Sequence, residues 1–380
     1  MEVPWETEAA GDQAKRSSRR RRQGKASASR SHSCDESKMQ IGKGKRAEQV
    51  KNPSPPSPEK GEEEEEGQLL DDETAEDFMR SFRDGWESCF GGLYGYFEDN
   101  TSVPSMRYTE GTIPRYASCE DVLQIFSVQV IETKDGLEWP LHVYGWIATR
   151  DSVDQNRNLL FNCTRDNCQI LTQEDSYLLL TGPSRAVVFI DPVAFEVQLK
   201  VKGKTESEDK MLCLEIFEYS TVYSFVRGPF IIQQRCYSKR CTLMVRFAPL
   251  VNTAEATVVK VQVIDGSWPE HVRGKVLART VSIDIGDIML LDSRDGRMPI
   301  TCAGEIKLSR NVVSVELGGQ LKVRVVASQV DNRSDVIEGR FVFTPLKAVC
   351  NQGTCDLGFC KVEITVAWSL LATLEDMRSV

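Results

Sequence analysis

The sequence predicts a mostly β protein made of two tandem, internally repeated β-sandwich-like units, preceded by a disordered leader and one short amphipathic helix. Three observations lead to this prediction. Short runs rich in Val, Ile, Leu and Phe follow residue 122, and the run from Phe195 to Val201 alternates as a half-buried strand does. Two motifs each occur twice in this β region, and the composition changes sharply near residue 70.

Residues 1–70 are rich in Ser, Lys, Arg, Glu and Pro and sparse in apolar residues. Such a segment cannot bury enough apolar surface to fold, so we predict a disordered leader. It contains a glutamate run, Glu62 to Glu66, and a basic cluster of Arg19, Arg20, Arg21 and Arg22. The cluster is typical of a nuclear import signal or of nonspecific nucleic-acid contact, although it is equally typical of a tail that is merely soluble.

Residues 71–92 are predicted to form the amphipathic helix. Phe78, Phe82 and Trp86 recur at helical spacing, acidic residues lie in the first turn, and Gly91 and Gly92 mark the end. Residues 93–121 contain scattered Gly and Pro and are predicted to form an irregular connector.

The β region is predicted to contain a first unit at residues 122–260 and a second unit at residues 261–370, followed by a tail at residues 371–380. So many short strands favour a sandwich or a barrel. Further predicted strands are Val187–Ile190, Leu243–Phe247, Val258–Ile264, Val312–Leu317, Leu321–Val326, Phe341–Phe343 and Val362–Trp368.

The two units are predicted to be copies of each other. The tetrapeptide Val-Gln-Val-Ile begins at Val128 and again at Val261, and each copy is followed by a Trp-Pro-x-His-Val-x-Gly motif. We interpret the motif as a fold framework, because Trp anchors packing, Pro marks strand entry and Gly permits close backbone approach. The framework residues are Trp139, Pro140, His142 and Gly145 in the first copy and Trp268, Pro269, His271 and Gly274 in the second.

The residue inventory argues against an enzyme and against a cofactor. The chain has three histidines, of which His32 lies in the leader, so nucleophilic catalysis would have to use His142 or His271. No Gly-x-Ser-x-Gly nucleophile elbow accompanies them. No catalytic, cofactor-binding or metal-binding residue is therefore predicted.

Two metal hypotheses stay open as alternatives. Cysteines stand five residues apart at Cys163/Cys168, Cys236/Cys241 and Cys350/Cys355/Cys360, but zinc sites more often use closer pairs, so free thiols are the expectation. The acidic loops with Asp151/Asp154 and Asp292/Asp295 would suit calcium, although turn chemistry explains these residues equally well.

The chain is expected to be intracellular, in the nucleus or the cytoplasm. No run approaches the roughly 20 apolar residues that span a membrane, and acidic residues near the N-terminus argue against a transit peptide. Twelve cysteines in 380 residues are too few to indicate a disulfide scaffold.

Several long segments resemble a known family. They include FEDN at 97–100, LQIFSVQV at 123–130, VYGWIATRDSVDQNRNLLFN at 143–162, TRDNCQ at 164–169, LTGPSRAVV at 180–188, FEVQLKVKGKTESEDK at 195–210 and VAWSL at 366–370. They are similar to an uncharacterised domain family expanded in cereal grasses, which is a domain of unknown function. The resemblance covers residues 77–370 and implies no established activity.

Some members of that family carry the domain joined to a ribosome-inactivating N-glycosidase, which implies a plant defence context. This chain departs from those fusions, because the superficially similar stretch at Glu255 and Ala256 runs into strand-like sequence without the matching arginine. No catalytic residue is carried over.

The sequence therefore favours a non-catalytic, β-rich interaction module whose partner is unknown and expected to be a protein. Two alternatives remain, namely an accessory module of a defence system related to ribosome-inactivating proteins and a nuclear nucleic-acid-associated protein. Nucleic acid would be contacted only through the leader, and no membrane contact is expected.

Overall fold

The computed structural model describes residues 72–220, 230–283, 286–294, 296–329 and 336–373. The predicted leader at residues 1–70 and all but three residues of the predicted tail lie outside the described residues.

The described residues form one α-helix, a 3₁₀ turn at Glu206–Glu208 and strands in antiparallel sheets. The prediction of a mostly β fold with one helix is confirmed. The elements are α1 (Asp72–Tyr94), β1 (Glu120–Thr133), β2 (Leu141–Arg150), β3 (Asn158–Cys163), β4 (Gln169–Leu171), β5 (Val187–Val188), β6 (Val193–Val201), β7 (Lys210–Tyr219), β8 (Ile232–Tyr237), β9 (Cys241–Gly266), β10 (Val272–Thr280), β11 (Ile288–Asp292), β12 (Val312–Glu316), β13 (Leu321–Gln329), β14 (Val336–Phe343), β15 (Val349–Asp356) and β16 (Cys360–Ser369).

Helix α1 continues two residues beyond its predicted end. Gly91 and Gly92 remain helical, and the amide of Gly95 donates to the Gly91 carbonyl at 3.3 Å. Gly95 has φ +96°, a conformation that glycine adopts at helix ends without steric cost. In the described part of the chain, no helix has the length and apolar character needed to cross a membrane.

The strands of the described residues form three sheets. The shared sheet has the order β15–β16–β9–β1–β5, with β8 and β12 also paired to β9. The first flanking sheet has the order β3–β2–β6–β7, with β4 paired to β2, and the second flanking sheet has the order β11–β10–β13–β14.

Strand β9 runs through both halves of the shared sheet. Its first part pairs with β1 and β8, and its second part pairs with β12 and β16. The predicted strands Leu243–Phe247 and Val258–Ile264 are therefore parts of one strand. Pairing continues between them, from Leu250 with Val122 to Ala254 with Val315. The predicted boundary between residues 260 and 261 falls inside β9.

Within the described residues, the two largest hydrophobic cores define two sandwiches. The first sandwich has its core between the shared sheet and the first flanking sheet, where the ring of Phe195 stacks on Phe217 at 4.7 Å and lies 5.2 Å from Phe247. The second sandwich has its core between the shared sheet and the second flanking sheet, around the fully buried Trp368. Each core buries enough apolar side chains to stabilise its own sandwich.

A buried charge cluster lies beneath helix α1. Glu196 of β6 is 0% exposed and pairs with Arg150 and, at 3.0 Å, with Arg157. The Arg150 guanidinium also lies 4.8 Å from the ring centre of Trp86 and 4.2 Å from that of Phe97. Helix α1 is thus held against the first sandwich by a buried cation that contacts aromatic rings on one side and a carboxylate on the other.

The buried carboxyl of Glu215, in β7, should make the stability of the chain depend on pH. Burial raises the pKa of this carboxyl to about 7. Between the ordinary value of 4.5 and about 7, the folded chain keeps a proton that the unfolded chain has lost, so the free energy of unfolding falls as pH rises through this window. We expect Glu215→Gln to flatten that decline in urea unfolding series from pH 4.5 to 7.5. An unchanged slope in the variant would contradict this assignment.

Candidate functional site

The candidate site is a cleft that lies between the two sandwiches, here called the interface cleft. It has a volume of ≈560 Å³ and is lined from the first sandwich by β1, β9 and the segment 174–180, and from the second by β10 and β11. Cavities of this size typically hold small molecules. Its lining side chains include five cations, which are Arg246, Arg273, Lys275, Arg294 and Arg310.

Arg310 lies deepest among these cations. It precedes β12, and its side chain is 1% exposed. Its terminal nitrogens donate to the backbone carbonyls of Ile125 and Phe126, at a bulge where the pairing of β1 with β9 skips Phe126. In the part of the chain that the structure describes, its Nε has no hydrogen-bond partner and no carboxylate pairs with Arg310. Burial lowers the pKa of Arg310 to about 9, so the group stays charged at neutral pH.

Arg246 reaches the same wall of the cleft from β9. Its backbone is paired with Ser127, the residue that follows the β1 bulge, and both residues line the cleft. The Nε of Arg246 is buried and has no hydrogen-bond partner among the described residues. Within the described residues no carboxylate forms an ion pair with Arg246. Two arginines without a carboxylate partner among the described residues therefore line the same cleft, with Arg310 bound to the carbonyls of the bulge and the Arg246 backbone paired with the residue that follows it.

The outer cations of the cleft are compensated. Lys275 lies 2.7 Å from Asp292, and Arg294 lies 3.1 Å from Asp175. A third acid, Asp287, lies 2.7 Å from Arg279 and also pairs with Arg324. Arg246 and Arg310 differ from Lys275 and Arg294 in having no carboxylate partner among the described residues.

Sequence reasoning missed Arg246 and Arg310. Arg246 stands between Val245 and Phe247 in an ordinary alternating strand, where an outward cation is normal. The one available signal was the position of Arg310 between the apolar residues Leu308 and Val312, but a short polar loop explains that pattern equally well.

The first framework motif lies at the entry to β2. Trp139 packs against the first core, and Gly145 has φ +118° at a point of close approach to β6. His142 is half-buried, and its Nδ1 lies 3.8 Å from the Sγ of Cys168. Pro140 is exposed.

The second framework motif lies at the entry to β10. Trp268 packs against the second core and donates from Nε1 to the Val272 carbonyl at 2.8 Å. Trp268 and Pro269 also line a second cavity of ≈460 Å³, His271 is exposed, and Gly274 is buried. The motif residues are thus placed at strand entries in two different sheets, and their origin by internal repetition stays a prediction.

The carboxylates of the acidic loops form ion pairs with Arg and Lys side chains of the chain itself. Arg185 is buried between Asp151 at 2.6 Å and Asp154 at 3.2 Å. Asp292 pairs with Lys275, and Asp295 lies outside the described residues. An arginine thus occupies the position between the first pair of carboxylates.

The cysteines named above are free thiols. Across the part of the chain that the structure describes, no group of three or more His, Cys, Asp or Glu side chains could hold a metal ion.

Two further predictions concern the basic cluster and Glu255. Arg19, Arg20, Arg21 and Arg22 lie outside the described residues. Glu255 lies in β9, as its strand-like sequence predicted, and is buried. Its carboxylate accepts from the backbone amides of Met106 at 2.8 Å and Ala186 at 2.7 Å, so it ties two loops to the shared sheet.

Comparison with solved structures found distant likenesses. The tandem C2 domains of Extended-Synaptotagmin 2, calcium bound, match at a TM-score of 0.25 and 9% identity, covering 67% of this chain and 97% of that one. Human GIVD cytosolic phospholipase A2 matches at a TM-score of 0.23 and 9% identity, covering 67% of this chain and 31% of that one. Likenesses at these TM-scores carry no argument about this chain.

The sequence itself was compared with curated proteins and with family models. No curated protein matches it. One family model, described as a domain of unknown function, DUF6598, matches residues 122–366 and so covers most of the β region and more than half of the chain. The chain therefore belongs to the DUF6598 family.

Proposed function

We propose that this chain is a non-catalytic binding module and that it binds its ligand in the interface cleft. The observation that carries the proposal is the construction of the cleft from side chains of both sandwiches around a volume of ≈560 Å³. Apolar residues such as Phe126, Leu178 and Met289 line it together with a few convergent charged groups. This mixture is typical of small-molecule binding sites.

The charged groups of the cleft support binding over catalysis. Asp175, Asp287 and Asp292 are engaged in ion pairs with neighbouring cations. Among the described residues the lining contains no His and no Cys. His142 lies in β2 of the first flanking sheet, whereas His271 directly precedes β10 of the second. The two alternatives drawn from the sequence stay predictions, since one rests on the family resemblance and the other on Arg19 to Arg22.

A cleft-filling substitution tests this proposal. The chain is incubated with a small-molecule extract of the cells that produce it and analysed by native mass spectrometry. We expect wild type to retain a ligand mass that Ser127→Trp loses, because the indole occupies the cleft. Ser207→Trp is the matched control, since Ser207 is exposed and lies outside the cleft.

A second filling variant, Leu179→Trp, provides the same test if Ser127→Trp does not fold. Circular dichroism checks that each variant is folded. Equal ligand retention by the folded filling variants and by Ser207→Trp would overturn the proposal.

A further inference from the structure

We infer that the interface cleft binds a small molecule through an oxyanion, a phosphate or carboxylate group, held by Arg246 and Arg310. This inference rests on the proposed function and names the chemistry of its ligand. It starts from the two buried Nε–H donors that have no acceptor. Buried donors in native proteins are almost always paired, so a site that leaves two of them unpaired on one wall is built to receive an acceptor.

The charge of the site favours an anion over a neutral acceptor. Removing a guanidinium from water is costly unless an opposite charge compensates it. Arg310 has backbone carbonyls as its partners, which supply partial charge only. Arg246 likewise has no carboxylate partner among the described residues. A bound oxyanion would neutralise both groups at once.

The distribution of charge within the cleft sets the position of that anion. The outer cations of the cleft already form ion pairs, Lys275 with Asp292 at 2.7 Å and Arg294 with Asp175 at 3.1 Å. The anion is therefore expected near the bulge of β1, where Arg310 binds the Ile125 and Phe126 carbonyls and where the Arg246 backbone pairs with Ser127. The chain as a whole carries a net charge of −9, so this cationic wall is not a consequence of a generally basic composition.

The donor geometry suits an oxyanion. Arg310 uses its terminal nitrogens to hold the β1 carbonyls, which fixes its plane and leaves Nε–H available. Arg246 makes no side-chain hydrogen bond to any described residue, so its whole guanidinium edge can form the paired bonds that phosphate and carboxylate accept. One arginine is fixed by backbone carbonyls, and the other keeps its donors for the ligand.

Anion-dependent thermal stability tests this inference in the full chain. Inorganic phosphate and sodium acetate are titrated against sodium chloride at matched ionic strength, and binding is quantified by calorimetry. We expect phosphate, acetate or both to raise the melting temperature beyond chloride, because ligands that bind the folded state stabilise it by mass action. The effective anion identifies the group. If neither exceeds chloride, the inference is overturned.

Matched variants locate the effect. Arg246→Gln and Arg310→Met should weaken binding of the effective anion at least about tenfold, as expected for the loss of one charge-assisted contact. Arg80→Gln should leave it unchanged, since Arg80 is exposed on α1. Arg246→Gln keeps the test decisive if Arg310→Met does not fold. Unchanged anion affinity in folded Arg246→Gln would overturn the inference.

The outcomes also separate this inference from the proposed function. If Ser127→Trp abolishes retention of the cellular ligand but neither anion binds wild type, the oxyanion assignment is wrong and the binding function stands. If phosphate or acetate binds Ser127→Trp as tightly as wild type, the anion site is not in the cleft and the inference falls, whereas the binding function falls only if the folded filling variants retain the cellular ligand as Ser207→Trp does.

Discussion

Replacing Glu196 with Gln is expected to lower the free energy of unfolding by about 3–5 kcal/mol, the usual cost of breaking a buried ion pair from one side. Glu196 is fully buried and is shared by Arg150 and Arg157. Gln retains the shape of the side chain but leaves two guanidinium groups beneath helix α1 without a carboxylate. Urea unfolding measures the loss.

The matched control for Glu196 is Glu270→Gln. Glu270 and its partner Arg297 are 79% and 77% exposed and lie 3.4 Å apart. An exposed pair of this kind is typically worth less than about 1 kcal/mol. Similar losses in the two variants would contradict the view that the buried cluster holds α1 in place.

The second large effect is expected at Gly145. An added Cβ would overlap the Gln198 carbonyl oxygen of β6, and φ is +118°. Both the contact with the backbone and the conformation penalise a side chain, so Gly145→Ala should cost about 3 kcal/mol. The loss is measured by urea unfolding.

Gly274→Ala is the comparison, because it changes the same position of the second framework motif. A Cβ there would meet the Sδ of Met298 at 2.5 Å and the Cζ2 of Trp268 at 2.7 Å, and these contacts are with side chains. The flexible Met298 can move, whereas the hydrogen-bonded Trp268 ring has to shift slightly, so a cost of about 1–2 kcal/mol is expected. If Gly274→Ala cost as much as Gly145→Ala, the distinction between backbone and side-chain contacts would be wrong.

The strands were predictable because the alternation of apolar and polar residues can be seen within a short stretch of sequence. Phe195, Val197 and Leu199 alternate in sequence, and all three are buried in the first core. Similarly, Trp86 was predicted to lie on the apolar face of a helix, and it is the buried aromatic residue of α1.

The continuity of β9 was not predictable from local sequence. Pro249 and Asn252 interrupt its middle, and both residues are normally signs that a strand ends. The strand persists because β1 pairs with Pro249 and β12 begins to pair at Thr253, so partners are exchanged without a break. Asn252, with φ +51°, lies where the exchange occurs.

The candidate site was also beyond sequence reasoning. The framework motif drew attention to Trp139, His142 and their counterparts, yet Trp139 packs against a core. The proposed anion-binding residues are identified by their lack of a carboxylate partner, and which residues become partners is decided only when the chain folds. Arg246 stands in an alternating strand and Arg294 in a turn sequence, and neither context shows whether the cation has a partner. The structure gives Arg294 a carboxylate and gives Arg246 none among the described residues.

The central claim is that an oxyanion is held between Arg246 and Arg310, and anomalous diffraction from crystals soaked in selenate tests it most directly. Selenate has the tetrahedral shape and charge of an oxyanion, and its selenium marks the position without ambiguity. The account predicts a peak in the interface cleft with selenate oxygens within about 3 Å of the Nε atoms of Arg246 and Arg310. An empty cleft at a selenate concentration that fills surface sites would contradict it.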